Sequence, residues 1–254
     1  MQTKTKQYEI RKGRTEIDVS HEGERLTYSH PAFRGNVPNL ADKIEKAGLI
    51  KPTFGQTISI IHPAYVDQEG NKVDPNQLPD ELKDTRKLME RAWGYAFTFT
   101  RNGKEGVYVQ DLPEMEDGRA IMEESDLVKK LGSREVRGVV FSDDNNIRFV
   151  PYGFKTGTIN IFDFSRNPLL IGLSGSEETA EKAAEIARTH ISKPWIGYNL
   201  TKDDEPQTRV SWLDSGGGLG DRWLDVGGNY LGDYDLGCAF GVLPKTGEAS
   251  RAEK

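Results

Sequence analysis

The sequence predicts an α+β fold with short strands, two or more helices and a long, irregular C-terminal segment on the surface. Three observations predict it. Strand-patterned and helix-patterned stretches follow one another without the regular strand–helix–strand alternation of a doubly wound sheet. SGSEETAEKAAEIARTHISK reads as a helix and YAFTFTRNGKEGVYVQD as a hairpin. From Ser215 to Gly237 only Gly, Asp, Leu and Tyr recur, with single copies of Ser, Arg, Trp, Val and Asn; Lys, Glu, Gln, Thr, Ile and Ala are absent.

The elements follow in order. KQYEIRKGRTEIDVSHEGERLTYSHP alternates apolar and polar residues around turns at Gly13 and Gly23, the period of half-buried strands. NLADKIEKAG reads as a helix with Asn39 as N-cap, Leu40, Ile44 and Ala47 on one face, and Gly48 as the stop. TFGQTISIIHPAY reads as a second helix that Pro63 ends or bends near His62. In PDELKDTRKLMERAW, Pro79 and the acids Asp80 and Glu81 suit a helix start, and Leu82, Leu88, Met89 and Trp93 are available for burial. The hairpin follows, its turn placed at Arg101-Asn102-Gly103 because Asn-Gly tolerates positive φ. VRGVVFSDDNNIRFVPYGF gives two more short strands. The helix after Ser176 has an N-cap, acids in its first turn, an alanine stripe at 180, 183, 184 and 187, and Pro194 beyond its end. KPWIGYNL, TRVSWL and CAFGVL read as strands. Residues 1–130 are either the first half of the fold or a small extra subdomain, and 131–254 form the core.

Composition narrows the function. The chain has 254 residues, 35% hydrophobic and 29% charged, enough for a real core. A net charge of −6 with no basic block argues against nucleic acid as partner. The single cysteine, Cys238, allows neither a disulfide framework nor a Cys-based zinc site, and His21, His30, His62 and His190 lack metal-ligand spacing, so no cofactor or metal is expected. His190 is read as a structural residue late in its helix. No run approaches the ~18 apolar residues of a membrane span. The N-terminus has no apolar signal region, so the chain is read as a soluble cytoplasmic protein, with export by another route left open.

The glycine-rich stretch admits several chemistries. GGGLGDR lacks the Lys-Ser/Thr and following helix of a phosphate loop. Leu219-Gly220-Asp221 returns as Leu231-Gly232-Asp233, an echo of glycine–aspartate calcium repeats, but two copies are fewer than a solenoid needs. Asp214, Asp221, Asp225, Asp233 and Asp235 could include a catalytic carboxylate pair, although aspartates in such loops commonly hold turns. A carbohydrate-active hydrolase or a calcium-dependent lectin using residues 214–235 is therefore the alternative reading. Trp212, Trp223, Tyr230 and Tyr234 stand among Asp, Asn, Ser and Gly, which is the composition of binding paratopes. Trp212 is expected in the core.

RVSWLDSGGGLGDRWLDVGGNYLGDYDLGCAFGV resembles the variable region of the target proteins of diversity-generating retroelements, specifically the archaeal kind. The resemblance covers about the last 35 residues. In that family a retroelement rewrites the end of a gene at template adenines, the proteins resemble C-type lectin folds, and their diversified side chains form a ligand-binding surface. They are binding proteins, not enzymes. Adenine replacement in an Asn codon yields Asp, Tyr, Ser, Gly, Leu, Arg or Cys but never Lys, Glu, Gln or Met, which fits the restricted alphabet and Cys238; Trp223 departs from it. The resemblance implies a variable region at about 209–242. Its framework would be Arg209, Val210, Ser211, Leu224, Val226, Gly237, Ala239, Phe240, Gly241 and Val242. Its displayed residues would be Asp214, Ser215, Gly217, Leu219, Asp221, Asp225, Asn229, Tyr230, Leu231, Asp233, Tyr234 and Asp235. The implied partner is an unknown protein or glycan, with the tyrosines as anchors.

Overall fold

The computed structural model describes residues 8–10, 16–116, 119–190, 193–198, 204–215, 224–229 and 237–245. The described fold mixes helices with a large sheet, as the α+β reading expects.

The chain opens with β1 (Tyr8–Ile10), β2 (Glu16–His21) and β3 (Glu24–Ser29), a three-stranded antiparallel sheet. The turn between β2 and β3 has positive φ at Glu22 and Gly23, as a two-residue hairpin loop demands. Gly13 lies outside the described residues. After β4 (Phe33–Arg34) comes α1 (Val37–Lys46). Its cap is Asn36, whose side chain accepts from the Asn39 N–H at 3.1 Å. This corrects the expected Asn39 cap: Pro38 needs no N–H partner in the first turn, so the helix starts earlier. Leu40 and Ile44 are buried, Ala47 is exposed at the C-cap, and Gly48 follows with φ +69°.

Helix α2 (Phe54–Ile61) is capped by Thr53 and Gln56, each side chain accepting the other's backbone N–H. Pro63 sits in the tighter turn His62–Ala64 that ends it. Then come α3 (Asp80–Met89), β5 (Trp93–Asn102) and β6 (Gly106–Asp111). The hairpin turn falls at 104–105, with Gly103 bonded to the Gly106 carbonyl at 2.8 Å, two residues beyond the expected place. Asn102 is 1% exposed and used elsewhere. Next are β7 (Met115–Glu116), β8 (Arg119–Ala120), α4 (Glu124–Lys130), β9 (Leu131–Val136), β10 (Val139–Ser142) and β11 (Ile147–Pro151). β12 (Gly157–Thr158), α5 (Ile161–Phe164), α6 (Pro168–Ser174) and α7 (Glu177–Arg188) lead to β13 (Trp195–Gly197), β14 (Thr208–Asp214), β15 (Asp225–Asn229) and β16 (Gly237–Ala239). In α7 the Ser176 cap and the buried stripe Ala180, Ala183, Ala184 and Ala187 stand as the sequence predicts.

The main sheet runs β12-β13-β15-β14-β5-β6-β11-β10-β9, with β16 joined to β4 and β5. β5 is the hub. One edge pairs with β14, while the other is shared by β6 and the short parallel contact with β16. Strands from the first 130 residues thus lie between strands from the rest of the chain. β5 is buried on both faces. Tyr95, Phe97 and Phe99 pack with Val37, Leu40 and Ile44 of α1. Ala96, Val107, Val109 and Val150 pack with residues of α2, α6 and α7 on the other side. Strands covered on both faces need apolar residues at successive positions, and β5 shows this from Tyr95 to Phe97.

One buried polar network ties β5, β6, β11 and α2 together. Arg148 on β11 is 1% exposed and forms a bidentate ion pair with Asp111. Asp111 also accepts from the Thr98 hydroxyl, which in turn accepts the Phe54 N–H at 2.8 Å.

The titratable groups make the fold acid-sensitive. Burial holds the His21 imidazole below its ordinary value of 6.5, against the opposing pull of Glu22. The His62 hydrogen bond holds Glu185 below its ordinary value. Both folded values are depressed, so both contributions are complete above the unfolded values and are lost as pH falls. We expect the melting temperature to decline as pH falls below the ordinary histidine value of 6.5 through His21, and further in the carboxylate range through Glu185. His21→Gln should flatten the first part of that decline in a calorimetric pH series.

Candidate functional site

The site is the C-terminal region, built outward from its anchors. β14 lies between β5 and β15 in register Val210↔Phe99, Trp212↔Tyr95 and Val210↔Asn229, Asp214↔Asp225. The segment 216–223, between β14 and β15, is held at both ends. Ser215 donates its N–H to Met89 O at 3.0 Å and its hydroxyl meets Tyr65 Oη at 2.7 Å. Leu224 is 1% exposed and its carbonyl accepts from Trp195 N at 3.0 Å. Segment 230–236 starts from β15 and ends at Gly237, whose carbonyl accepts from Gly35 N at 3.0 Å.

Beyond β16 the chain is clamped between two early segments. Gly241 O accepts from Ser29 N, and Val242 exchanges both backbone bonds with Ile50 at 2.8 and 2.9 Å. Upstream of β14, the buried Asn102 amide donates to the carbonyls of Asp204 and Glu205 and accepts from Gln207 N at 2.6 Å. One side chain therefore satisfies three backbone groups of a loop, which fixes where β14 begins.

Val210, Ser211, Leu224, Val226, Ala239, Phe240 and Val242, expected as framework, are all 3% exposed or less. Gly237 and Gly241 are buried and Arg209 is half-buried. Trp212, expected in the core, is half-buried and stacked on Trp93 with ring centroids 5.2 Å apart.

Three glycines of the region have a stated reason. A Cβ on Gly227 would stand 2.2 Å from the Trp212 ring, on Gly228 2.2 Å from the Tyr198 ring, and on Gly237 2.1 Å from the Tyr95 ring. Successive strand residues face opposite sides of a sheet, so the pair Gly227-Gly228 admits one ring on each face. Tyr198 is fixed in turn by donating to Ser211 Oγ at 2.9 Å. These glycines are backbone clearances for aromatic rings.

Among the displayed residues expected from the sequence, Ser215 is corrected: it is 2% exposed and belongs to the brace. Its hydroxyl partner, Tyr65, lies 150 positions away, out of reach of a local reading. Asp214 and Asp225 are half-buried and directly opposed across β14 and β15. Asn229 contributes backbone to β15 opposite Val210. Gly217, Leu219, Asp221, Tyr230, Leu231, Asp233, Tyr234 and Asp235 lie outside the described residues, as does Trp223. Among the described residues no group of three or more His, Cys, Asp or Glu could hold a metal ion, and no helix is long and apolar enough to cross a membrane.

With the anchors placed, the chain can be set beside known proteins. One solved structure is similar. It is described as "Accommodation of massive sequence variation in Nanoarchaeota by the C-type lectin fold". The likeness covers 78% of this chain and 97% of that one, at 15% identity and a TM-score of 0.43. No protein-family model and no curated protein matches the chain.

Cys238 is 0% exposed in β16, beside Phe33 and Arg34 of β4. Burial pushes its thiol up to about 12, against the opposing pull of Arg34. It is an inert, protonated core residue, so its place is with the framework and not with the displayed surface. The native protein should resist thiol reagents at neutral pH, and the same thiol should react fully in denaturant.

Proposed function

We propose that this chain is a binding protein of C-type-lectin-like fold, whose C-terminal segment displays variable side chains to a protein or glycan ligand, and that it is not an enzyme. The observation that supports this reading is the bracing of the region. Residues 216–223 lie between Ser215 and Leu224, both buried and hydrogen-bonded, and residues 230–236 lie between Asn229, paired with Val210 in β15, and the buried Gly237 of β16. Anchors fixed in that way do not depend on the side chains between them, which is what a tolerant binding surface requires. Tyrosine gives large contact area at low entropy cost, so Tyr230 and Tyr234 are the proposed anchors, with the aspartates setting charge preference.

The genomic test is direct. A near-copy of the final coding segment, differing at adenines and lying beside a reverse transcriptase gene, is the expected finding. The differences should fall on the displayed residues and spare Val210, Val226, Gly227, Gly228 and Phe240. Coding copies that vary as freely at those positions would refute the reading.

One observation favours the alternative. The register sets the carboxylates of Asp214 and Asp225 on directly opposed residues, whose Cβ atoms are about 5 Å apart in such pairs. Opposed residues at that distance can bring two carboxylates near enough to share a cation. A calcium titration separates the readings: no heat and no thermal stabilisation is expected of a metal-free binder, and saturable stabilisation lost in Asp225→Asn would favour the calcium-dependent lectin.

A further inference from the structure

A cavity of about 270 Å³ is lined by Ser20 of β2, Ser59 of α2, His62, and Glu178, Lys182 and Glu185 of α7, together with the loop at 67–70, which includes Asp67. None of these residues belongs to β13–β16. The space equals roughly nine water molecules at liquid density, near the lower limit of small-molecule sites.

The lining is acceptor-rich. Lys182 is engaged by Glu178 at 3.1 Å and reaches the Ser20 carbonyl at 3.5 Å, so this ammonium and one carboxylate offset each other. Glu185 meets His62 Nε2 through one oxygen, Oε2, at 2.6 Å. Its other oxygen remains able to accept. Ser59 is 2% exposed, and its hydroxyl lies 2.9 Å from His21 Nδ1. With that nitrogen as acceptor, the Ser59 lone pairs are left as acceptors toward the cavity. The wall therefore offers a carboxylate oxygen and a hydroxyl oxygen to a donor. The carboxylates of Asp67, Glu178 and Glu185 outnumber the ammonium of Lys182 in the lining, which disfavours an anion. The Glu185 side chain is 29% exposed, so bulk salt screens it less than a surface carboxylate. Among the described residues no group of three or more His, Cys, Asp or Glu could hold a metal ion.

We propose that this cleft is a second binding site, which takes a small molecule carrying a primary ammonium and hydroxyl groups, with Glu185 holding the ammonium and Ser59 a hydroxyl. An amino sugar has this chemistry and about this size.

The probes are glucosamine and glucose, alike in ring and different in charge, added to the full chain in calorimetric and thermal-melting titrations. Glucosamine is expected to bind and raise the melting temperature, with glucose weaker by roughly tenfold or more, the equivalent of ~1.4 kcal/mol. Glu185→Gln, which keeps a hydrogen-bond acceptor for His62, is expected to weaken glucosamine by a similar factor. Alanine at Tyr230 and Tyr234 is expected to leave glucosamine binding unchanged, which separates this site from the C-terminal surface. Equal binding of the two sugars, no binding of glucosamine, or an unaltered affinity in Glu185→Gln would each overturn the proposal. If Glu185→Gln does not fold, the contrast between the two sugars on the natural chain decides.

Discussion

Arg148→Met is expected to cost about 3–5 kcal/mol of unfolding free energy, the penalty of stranding one partner of a buried ion pair. A domain of this kind is stable by only about 5–15 kcal/mol, so the loss would be visible at once in a urea titration. The size follows from how many elements the guanidinium joins. It pairs with Asp111 at the end of β6, donates through Nε to the Gly172 carbonyl of α6 at 2.8 Å, and donates to Asn145 O at 2.7 Å. Methionine fills much of the same volume but leaves both carbonyls without that donor and Asp111 with only the Thr98 hydroxyl named above. Arg148→Lys should recover little, because a single ammonium cannot match a planar fork set on two carboxylate oxygens. Replacing Asp111 by Asn together with Arg148→Met should be milder than the sum of the two changes, because the stranded charge is gone. A loss below about 1 kcal/mol would mean that water reaches the pair and that it behaves as a surface ion pair.

Gly227→Ala should also be destabilising, by about 3 kcal/mol, the upper end for forcing extra volume into a packed site. The expected sign decides between two accounts of the glycine-rich region. Gly227 does not have positive φ among the described glycines, so on backbone grounds alone alanine would stabilise a strand by about 0.5–1 kcal/mol. The Trp212 ring reverses that sign, since the new Cβ would stand 2.2 Å from it and Trp93 is stacked on Trp212. Trimming the ring in the same chain, as Trp212→Leu with Gly227→Ala, should remove much of the clash, so the double change should cost less than the sum. Gly228→Ala should behave likewise against Tyr198. A neutral or stabilising Gly227→Ala would remove the clearance argument.

Much of the fold was legible where the pattern was strong. The β5–β6 strands, the α7 stripe behind Ser176 and the Gly48 stop all follow from local periodicity and capping chemistry. The errors are local choices overruled by distant partners. Asn102 looked like a turn residue, yet its amide is committed to backbone at 204–207, which pushes the turn onto Lys104 and Glu105. Helices α4, α5 and α6 escaped because they are short. PLLIGLS in α6 is apolar throughout and 2-periodic or 3.6-periodic in nothing; its signal was Asn167-Pro168, a cap followed by a helix-starting proline.

The candidate site was half legible. TRVSW and CAFGV read as strands, and their framework role came from the resemblance; the structure buries Val210, Ser211 and all of CAFGV but leaves Thr208, Arg209 and Trp212 half-buried. Gly-Gly inside a strand signals a close approach, but not of what. The rings that occupy the space, Trp212 and Tyr198, come from β14 and from the residue just after β13. Ser215 reads as a loop residue until Tyr65 closes on it, and Trp93 gives no sign in the sequence that it will stack on Trp212.

The decisive measurement is the unfolding free energy of a chain with alanine at Leu219, Asp221, Tyr230, Leu231, Asp233, Tyr234 and Asp235 together, set against Val226→Ala alone. If the segments are displayed from a self-sufficient backbone, the seven-fold variant should remain folded with no more than about 0.5 kcal/mol lost per position, while Val226→Ala, 0% exposed, should lose more from one side chain than any displayed position does. If alanine at Tyr230 or Tyr234 alone costs the roughly 3–5 kcal/mol of a buried aromatic, those rings are core and the binding-surface account is wrong.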